Sequence, residues 1–360
     1  MHLNPGLPLV RRGPSALQIG VDGGLVLNGL TESDCALVWS LRTDRDPVDL
    51  VEFGRQLGVT RERVAELVDA LSPVLLPGRD SSGGLRTARL AGELDRLGAV
   101  HHQLAPLLLA RRAEAVVRVD GCGALATGVV AGLAAAGIGA LTVEDGPPVS
   151  AAELGPGGFG LPDLGAARAA ALRRLCRSVA PETALDVRPR PRSRTSASDA
   201  DLWVLTAAVA LAETDVAAAD QHDGAVLPVI ARERDIVIGP LIEPGLTACL
   251  ACRERHRVDA DPAWPRIRDE ATTGATAPAR AGSLVSAAAA LAVVQVLAWL
   301  DGQHRPASWS TELVLRLADG RVSRRPCVPH PSCLCGWAAD DARQARRDVR
   351  PPRETLPAPS

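Results

Sequence analysis

The chain has 360 residues, 46% of them hydrophobic, and a formal net charge of −2. That is enough apolar material for a sizeable core and two or three domains, with no global field to draw it to nucleic acid or an anionic membrane. All 40 basic residues are arginine and there is no tyrosine, which excludes lysine Schiff-base chemistry and a Walker-type phosphate lysine.

Residues 1–14 are expected to be an arm without regular structure. Residues 16–29 (LQIGVDGGLVLNGL) predict two short strands around Asp22-Gly23-Gly24, a hairpin signal. Thr31 opens a helix as its N-cap, with Asp34 in the first turn and Ala36, Leu37, Val38 and Leu41 on its buried face. A second helix is predicted near Pro47 to Leu57, and a third from Thr60 with Val64, Leu67, Val68 and Leu71 inward. Two strands and three helices predict a winged-helix-like α+β module over residues 1–76, with Cys35 in its core. Arg55, Arg61 and Arg63 lie near the third helix, but Glu52, Glu62, Glu66 and Asp69 interleave with them. No basic face emerges, so DNA binding is not expected.

Pro77 to Gly84 (PGRDSSGG) predicts a break, and residues 87–110 are helical in pattern, so 77–110 is expected to be a helical linker. Residues 111–338 then predict a doubly wound α/β domain. A strand over 114–118, the turn Asp120-Gly121-Cys122-Gly123, a helix over 125–136 and a strand over 140–145 make one βαβ unit. A helix over 163–179, an exposed loop over 188–198 and strands over 201–206, 226–230 and 235–238 continue the alternation. Leu284 to Leu300 is apolar but carries Ser286 and Gln295, and predicts a buried helix rather than a membrane span. Residues 339–360 are expected to be a disordered tail.

Gly121-x-Gly123-x-x-Ala126 follows a strand and opens a helix, the context in which such a turn cradles a phosphate at a helix N-terminus. The same turn can also close a βα unit without a ligand. Asp145, with Glu144 beside it, ends the next strand, where a dinucleotide site holds a ribose. Cys249 and Cys252 form C-x-x-C, and Cys333 and Cys335 form C-x-C. Two close pairs of soft ligands suit one closed tetrahedral zinc with a structural role. Cys327 and His330 are competitors for that set. Cys122 stands inside the glycine turn, and Cys176 is expected to be packing on a helix face. His222 and His256 have no partner at metal-binding spacing and are expected to be surface or satisfied core groups. No signal peptide pattern opens the sequence, so a cytoplasmic location is expected; there, clustered thiols read as metal ligands.

The glycine turn, Ala136-Gly-Ile-Gly139, the strand ending in Asp145, Val149, Leu154, Gly165-x-x-Arg168 and the two cysteine pairs together resemble the ThiF-like, ubiquitin-activating adenylyltransferase superfamily. The segment Val237 to His256, followed by Asp261-Pro-Ala-Trp-Pro265, is similar to actinobacterial members that bind leader peptides as partners of azole-peptide cyclodehydratases. The resemblance covers about residues 110–338 and implies a Rossmann-like, ThiF-type sheet with a structural zinc. It implies ATP with magnesium near Gly121, Gly123, Ala126, Asp145 and Arg168, adenylation of a C-terminal carboxylate, and a homodimer. The N-terminal module more weakly resembles the element such proteins use to hold a precursor peptide.

Departures from the family motif bear on that chemistry. Asp145 matches its first aspartate, but Pro147 stands at the second, Glu153 at the asparagine, Pro156 and Gly157 at the arginine and glutamine, and Arg168 at the lysine. The sequence therefore leads to a degenerate scaffold that binds a precursor peptide for a separate enzyme, such as a YcaO-type cyclodehydratase. The alternative is an active adenylyltransferase acting on a small carrier protein or peptide.

Overall fold

The computed structural model describes residues 1–78, 84–121, 123–189, 200–273 and 282–335. Its contacts divide the chain into two units, Met1–Arg111 and Arg112–Ser360.

The first unit contains β1 (His2–Leu3), β2 (Leu9–Gly13), β3 (Ala16–Ile19), β4 (Leu25–Leu27), α1 (Glu32–Ser40), α2 (Pro47–Gln56), α3 (Arg61–Leu71), β5 (Leu75–Leu76) and α4 (Leu85–His101). The three helices begin close to where the sequence places them. Thr31 and Asp34 form a reciprocal capping box, Asp46 caps α2 ahead of Pro47, and Thr60 accepts from the Arg63 N–H. Leu37, Val38, Leu41, Val64, Leu67 and Leu71 are buried in one core with Leu17 and Ile19 of β3, and Cys35 is buried there too.

Two expectations are corrected in this unit. Residues 1–14 are not an arm. β2, β3 and β4 form an antiparallel sheet, and β1 pairs with β5. Leu3 is 3% exposed in the core, and its N–H donates to Leu41 O at 2.7 Å. One buried leucine and strand pairing with residues far along the chain hold this segment, and neither leaves a local periodicity to read. Nor do the described residues of 77–110 behave as a free linker. Asn4 Nδ2 donates to Asp95 O at 2.8 Å, and Gly98 sits so close to Leu76 that a Cβ there would lie 2.7 Å from its Cδ2.

Helix α5 (Ala105–Glu114) spans the boundary, and the second unit follows with β6 (Val116–Asp120), α6 (Ala124–Ala135), β7 (Ala140–Glu144), α7 (Arg168–Val179), β8 (Ala184–Arg188), β9 (Leu202–Ala208), α8 (Glu213–Asp220), β10 (Ala225–Ala231), β11 (Asp235–Ile238), α9 (Leu250–Ala260), α10 (Trp264–Thr273), α11 (Gly282–Asp301), β12 (Thr311–Arg316) and β13 (Val322–Pro326). Strand β6 begins later than the expected 114 because α5 runs through Glu114. Arg188, expected at the start of a loop, ends a strand, and residues 190–198 of that loop lie outside the described residues. The expected tail, 339–360, lies outside them as well.

These strands form one sheet of order β13-β12-β11-β10-β9-β6-β7-β8. Strands β8, β7, β6, β9 and β10 pair in parallel, and β11 to β13 continue it antiparallel. The chain steps from β6 outward through β7 to β8, then returns to the other side of β6 with β9. The strand order therefore reverses between β6 and β9, and in such sheets ligands bind beyond the carboxyl ends of the strands at that point.

Both faces are covered, as a parallel sheet requires. Leu202 and Val204 of β9 belong to the cluster under α6 and α11, whereas Trp203 and Leu205 point into the cluster under α8. Helices α6 and α11 approach closely because Gly128 and Gly132 present no side chains. A Cβ at Gly132 would lie 2.8 Å from Val293 Cγ2, and one at Gly128 2.9 Å from Ala289 Cβ. Among the described residues α11 is the one helix long and apolar enough to cross a membrane, yet Val285, Ala288, Ala292, Val293 and Val296 are buried in the protein core. Its last residue, Asp301, holds Arg112 through bonds of 2.8 and 2.6 Å, a buried ion pair tying α11 to the end of α5.

Candidate nucleotide pocket and metal centre

The glycine turn leaves β6 at the switch point. Gly121 and Gly123 have φ of +109° and +122°, a region L side chains rarely adopt. Gly121 is also fixed by its neighbour strand, because a Cβ there would lie 2.1 Å from Thr206 Oγ1 of β9. Thr206 in turn donates to Asp120 O at 2.9 Å. The glycines thus serve the packing of β6 on β9 whether or not a phosphate approaches. Cys122, between them, lies outside the described residues.

A pocket of about 220 Å³ opens here, lined by Gly121, Gly123, Ala126 and Arg168 with Thr127, Glu144 and the apolar Val119, Val130, Val143 and Leu172. Four of the five expected nucleotide residues therefore converge, and Asp145 does not join them. Asp145 accepts from the Gly146 N–H at 2.8 Å, while the adjacent Glu144, 4% exposed, accepts from the Gly121 N–H at 2.9 Å. The carboxylate at the glycine turn is thus one residue earlier than the motif count suggests.

Arg168 opens α7 but is turned away from solvent. Its Nη2 donates to both oxygens of Glu153, at 2.7 and 2.9 Å, its Nε donates to Pro147 O at 3.1 Å, and its guanidinium lies 5.7 Å from the Phe159 ring centroid. Glu153 is further held by the Ser150 N–H and hydroxyl. Burial pushes the Glu153 carboxyl up, but the Ser150 N–H and the Arg168 guanidinium outweigh it and hold the group below its ordinary value. Glu153 and Arg168 thus neutralise one another. Pro147, at the position of the motif's second aspartate, offers no carboxylate there, which leaves Glu144 as the carboxylate lining the pocket.

The four cysteines meet in the second unit. Cys249 is the N-cap of α9, whose first free N–H groups, of Leu250 and Ala251, donate to Asp220 of α8 at 2.9 and 3.0 Å. Cys333 and Cys335 follow β13. The sulfur separations are 3.7 Å for Cys249–Cys252, 3.6 Å for Cys249–Cys333 and 3.1 Å for Cys252–Cys335, and all four Sγ atoms lie within 4.8 Å of one another. A tetrahedral zinc with Zn–S of about 2.3 Å has sulfur edges of about 3.8 Å, so the set fits one ion with no open position. Burial and the Asp220 carboxylate push the Cys249 thiol up, and burial takes Cys252 up to about 12. At Cys333, by contrast, burial is outweighed by hydrogen bonds from Cys335, Cys252 and Cys249 and the thiol lies below its ordinary value, so an ion bound here would displace protons chiefly from Cys249 and Cys252. Cys327 is half-buried beside the set, and burial takes its thiol up to about 11. Cys176 is buried and likewise pushed up to about 11.

His222 is a core group, 3% exposed and edge-on to Trp203 at 5.5 Å. His256 corrects the sequence reading, because partners distant in sequence stand beside it. Its ring is 4.8 Å from that of His330, and His330 Nε2 is 2.8 Å from Asp259 Oδ2. His330 is not among the four thiol ligands, although its backbone N–H reaches Cys252.

No protein-family model and no curated protein matches the sequence. Solved structures do match over most of the chain. The crystal structure of E. coli MccB with ATP aligns at a TM-score of 0.67 and 18% identity, covering 93% of this chain and 98% of that one. The microcin C7 biosynthetic enzyme MccB in complex with N-formylated MccA aligns at 0.68 and 17%, with the same coverage. PaaA aligns at 0.67 and 16%, covering 89% of this chain and 98% of its own. At these identities the likeness is one of fold.

Proposed function

We propose that this ThiF-type chain is a precursor-peptide-binding scaffold, degenerate in adenylation, that presents its peptide to a separate modifying enzyme. The observation that carries the reading is the Glu153–Arg168 pair. Adenylation needs cations free to meet charge developing on the reacting phosphate. Here the arginine at the conserved lysine position is buried and occupied on both sides by Glu153 and Pro147 O. Lost cations of this kind are each worth about 3 kcal/mol in a transition state, and the fold persists without them.

In this proposal residues 1–76 form the winged-helix-like recognition module, and residues 111–338 the body. The peptide adds as a strand to an edge of the β2-β3-β4 sheet, where β2 and β4 are the outer strands among the described residues. MccB is seen with the MccA peptide, which favours a peptide as the partner here too. The four thiolates hold a structural zinc, a YcaO-type cyclodehydratase takes the presented peptide, and the protein works in the cytoplasm. Two copies pair, with the apolar positions of α11 that stay outside the core, Val294 at 56% exposure, as the contact. ATP–pyrophosphate exchange with purified, zinc-replete protein tests the central claim. No exchange is expected with or without a bound peptide, and turnover of ATP overturns it.

The second reading, an active adenylyltransferase on a small carrier protein or peptide, has one observation in its favour. The glycine turn, the N-terminus of α6 and the Glu144 carboxylate still share a pocket. The same assay decides between the two.

A further inference from the structure

We propose a second metal site, independent of the tetrathiolate, formed by His256 and Asp259 of α9 with His330 of the segment after β13, and selective for borderline divalent transition ions. His256 and Asp259 are three apart on α9, which puts them on one helical face. His330 is brought against them from 71 residues away, its Nε2 2.8 Å from Asp259 Oδ2. One donor atom from each lies within 4.8 Å of the other two.

Two imidazoles and a carboxylate favour zinc, nickel, cobalt or copper over magnesium or calcium. Three ligands from one side leave coordination positions to water, and Asp259, 66% exposed, leaves the site open to it. The surrounding bonds set the affinity. His256 Nε2 donates to Val328 O at 3.1 Å, the backbone-carbonyl bond that orients imidazole ligands. His330 Nδ1 accepts from the Ser332 N–H at 3.1 Å, so its proton sits on Nε2 and points at Asp259. Metal at Nε2 moves that proton to Nδ1 and gives up the Ser332 bond, which makes this a weaker site than the thiolates.

Titration of the zinc-replete full chain with Ni²⁺ tests the proposal, with zinc content followed throughout. One Ni²⁺ per chain is expected with zinc retained, and Asp259→Asn and His256→Gln each weaken its binding at least about tenfold. Asp259 is exposed, so its variant has no packing reason to unfold, and thermal melting checks both variants. Cu²⁺ bound to the unaltered protein should show two nitrogen ligands in its electron paramagnetic resonance spectrum. Nickel uptake only as zinc is lost, no uptake, or equal uptake by the variants overturns the site.

Discussion

Glu153 shows how one substitution changes what a neighbour can do. It stands where the motif that the sequence resembles has an uncharged asparagine, and its two oxygens take up the guanidinium of Arg168. Both side chains are buried, at 6% and 3% exposure. Removing one partner strands a buried charge, so Arg168→Met should lower unfolding stability by about 3 kcal/mol, read by urea denaturation at neutral pH. The pair also has a pH signature. The folded pKa of Glu153 lies below its ordinary 4.5, so its contribution is present above that pH and lost as the pH falls through the folded value. Glu153→Gln should flatten the acid limb of the stability–pH curve, and an unchanged limb would contradict the assignment. The exchange of asparagine for glutamate was legible in the sequence, but its pairing was not, because the partners stand 15 positions apart in the chain. Asp145 and Glu144 teach the same point. Counting along the motif selects the aspartate, whereas the side chain at the glycine turn is set by the twist and pairing of β7 at its last residue.

Among elements, those with caps or a buried periodic face were read correctly, and those held by remote pairing were not. Helices α1, α2 and α3 announce themselves through Thr31, Asp46-Pro47 and Thr60. Strand β1 is two residues long and β8 only five, with no apolar run to mark either. The packing of α6 on α11 depends on glycines that were visible as residues but not as a groove. Gly132→Leu should overpack that groove and lower stability by about 1–3 kcal/mol, and adding Val293→Ala should restore part of it in a double-mutant cycle. The cysteine pairs were legible as a set because soft ligands in close pairs have few other uses. Replacing Cys249 and Cys333 together by serine should release zinc and lower the melting temperature, measured by metal analysis and calorimetry on one preparation. A metal-free double variant that melts like the parent would remove zinc from the account.

At the scale of the molecule, repeated strand–helix alternation was enough to anticipate a doubly wound body, and the glycine turn marked its switch point. What the alternation could not supply was the antiparallel extension by β11, β12 and β13 or the docking of the described residues of 77–110 within the first unit. Both depend on partners distant in sequence. The scaffold reading also predicts a division of labour. Peptide binding, followed by fluorescence anisotropy, should survive Arg168→Met once folding is confirmed, because the pocket and the recognition module serve separate steps. Loss of peptide binding in a folded Arg168→Met variant would place the peptide in the pocket instead.

The 3.1 Å approach of Cys252 to Cys335 has a practical corollary. If the proposed zinc is stripped away, the cluster leaves two sulfurs close together, and air would couple them into a disulfide by a route that needs little chain movement. Chelated protein should therefore lose the capacity to rebind zinc on standing, and recover it only after a thiol reductant reopens the bond.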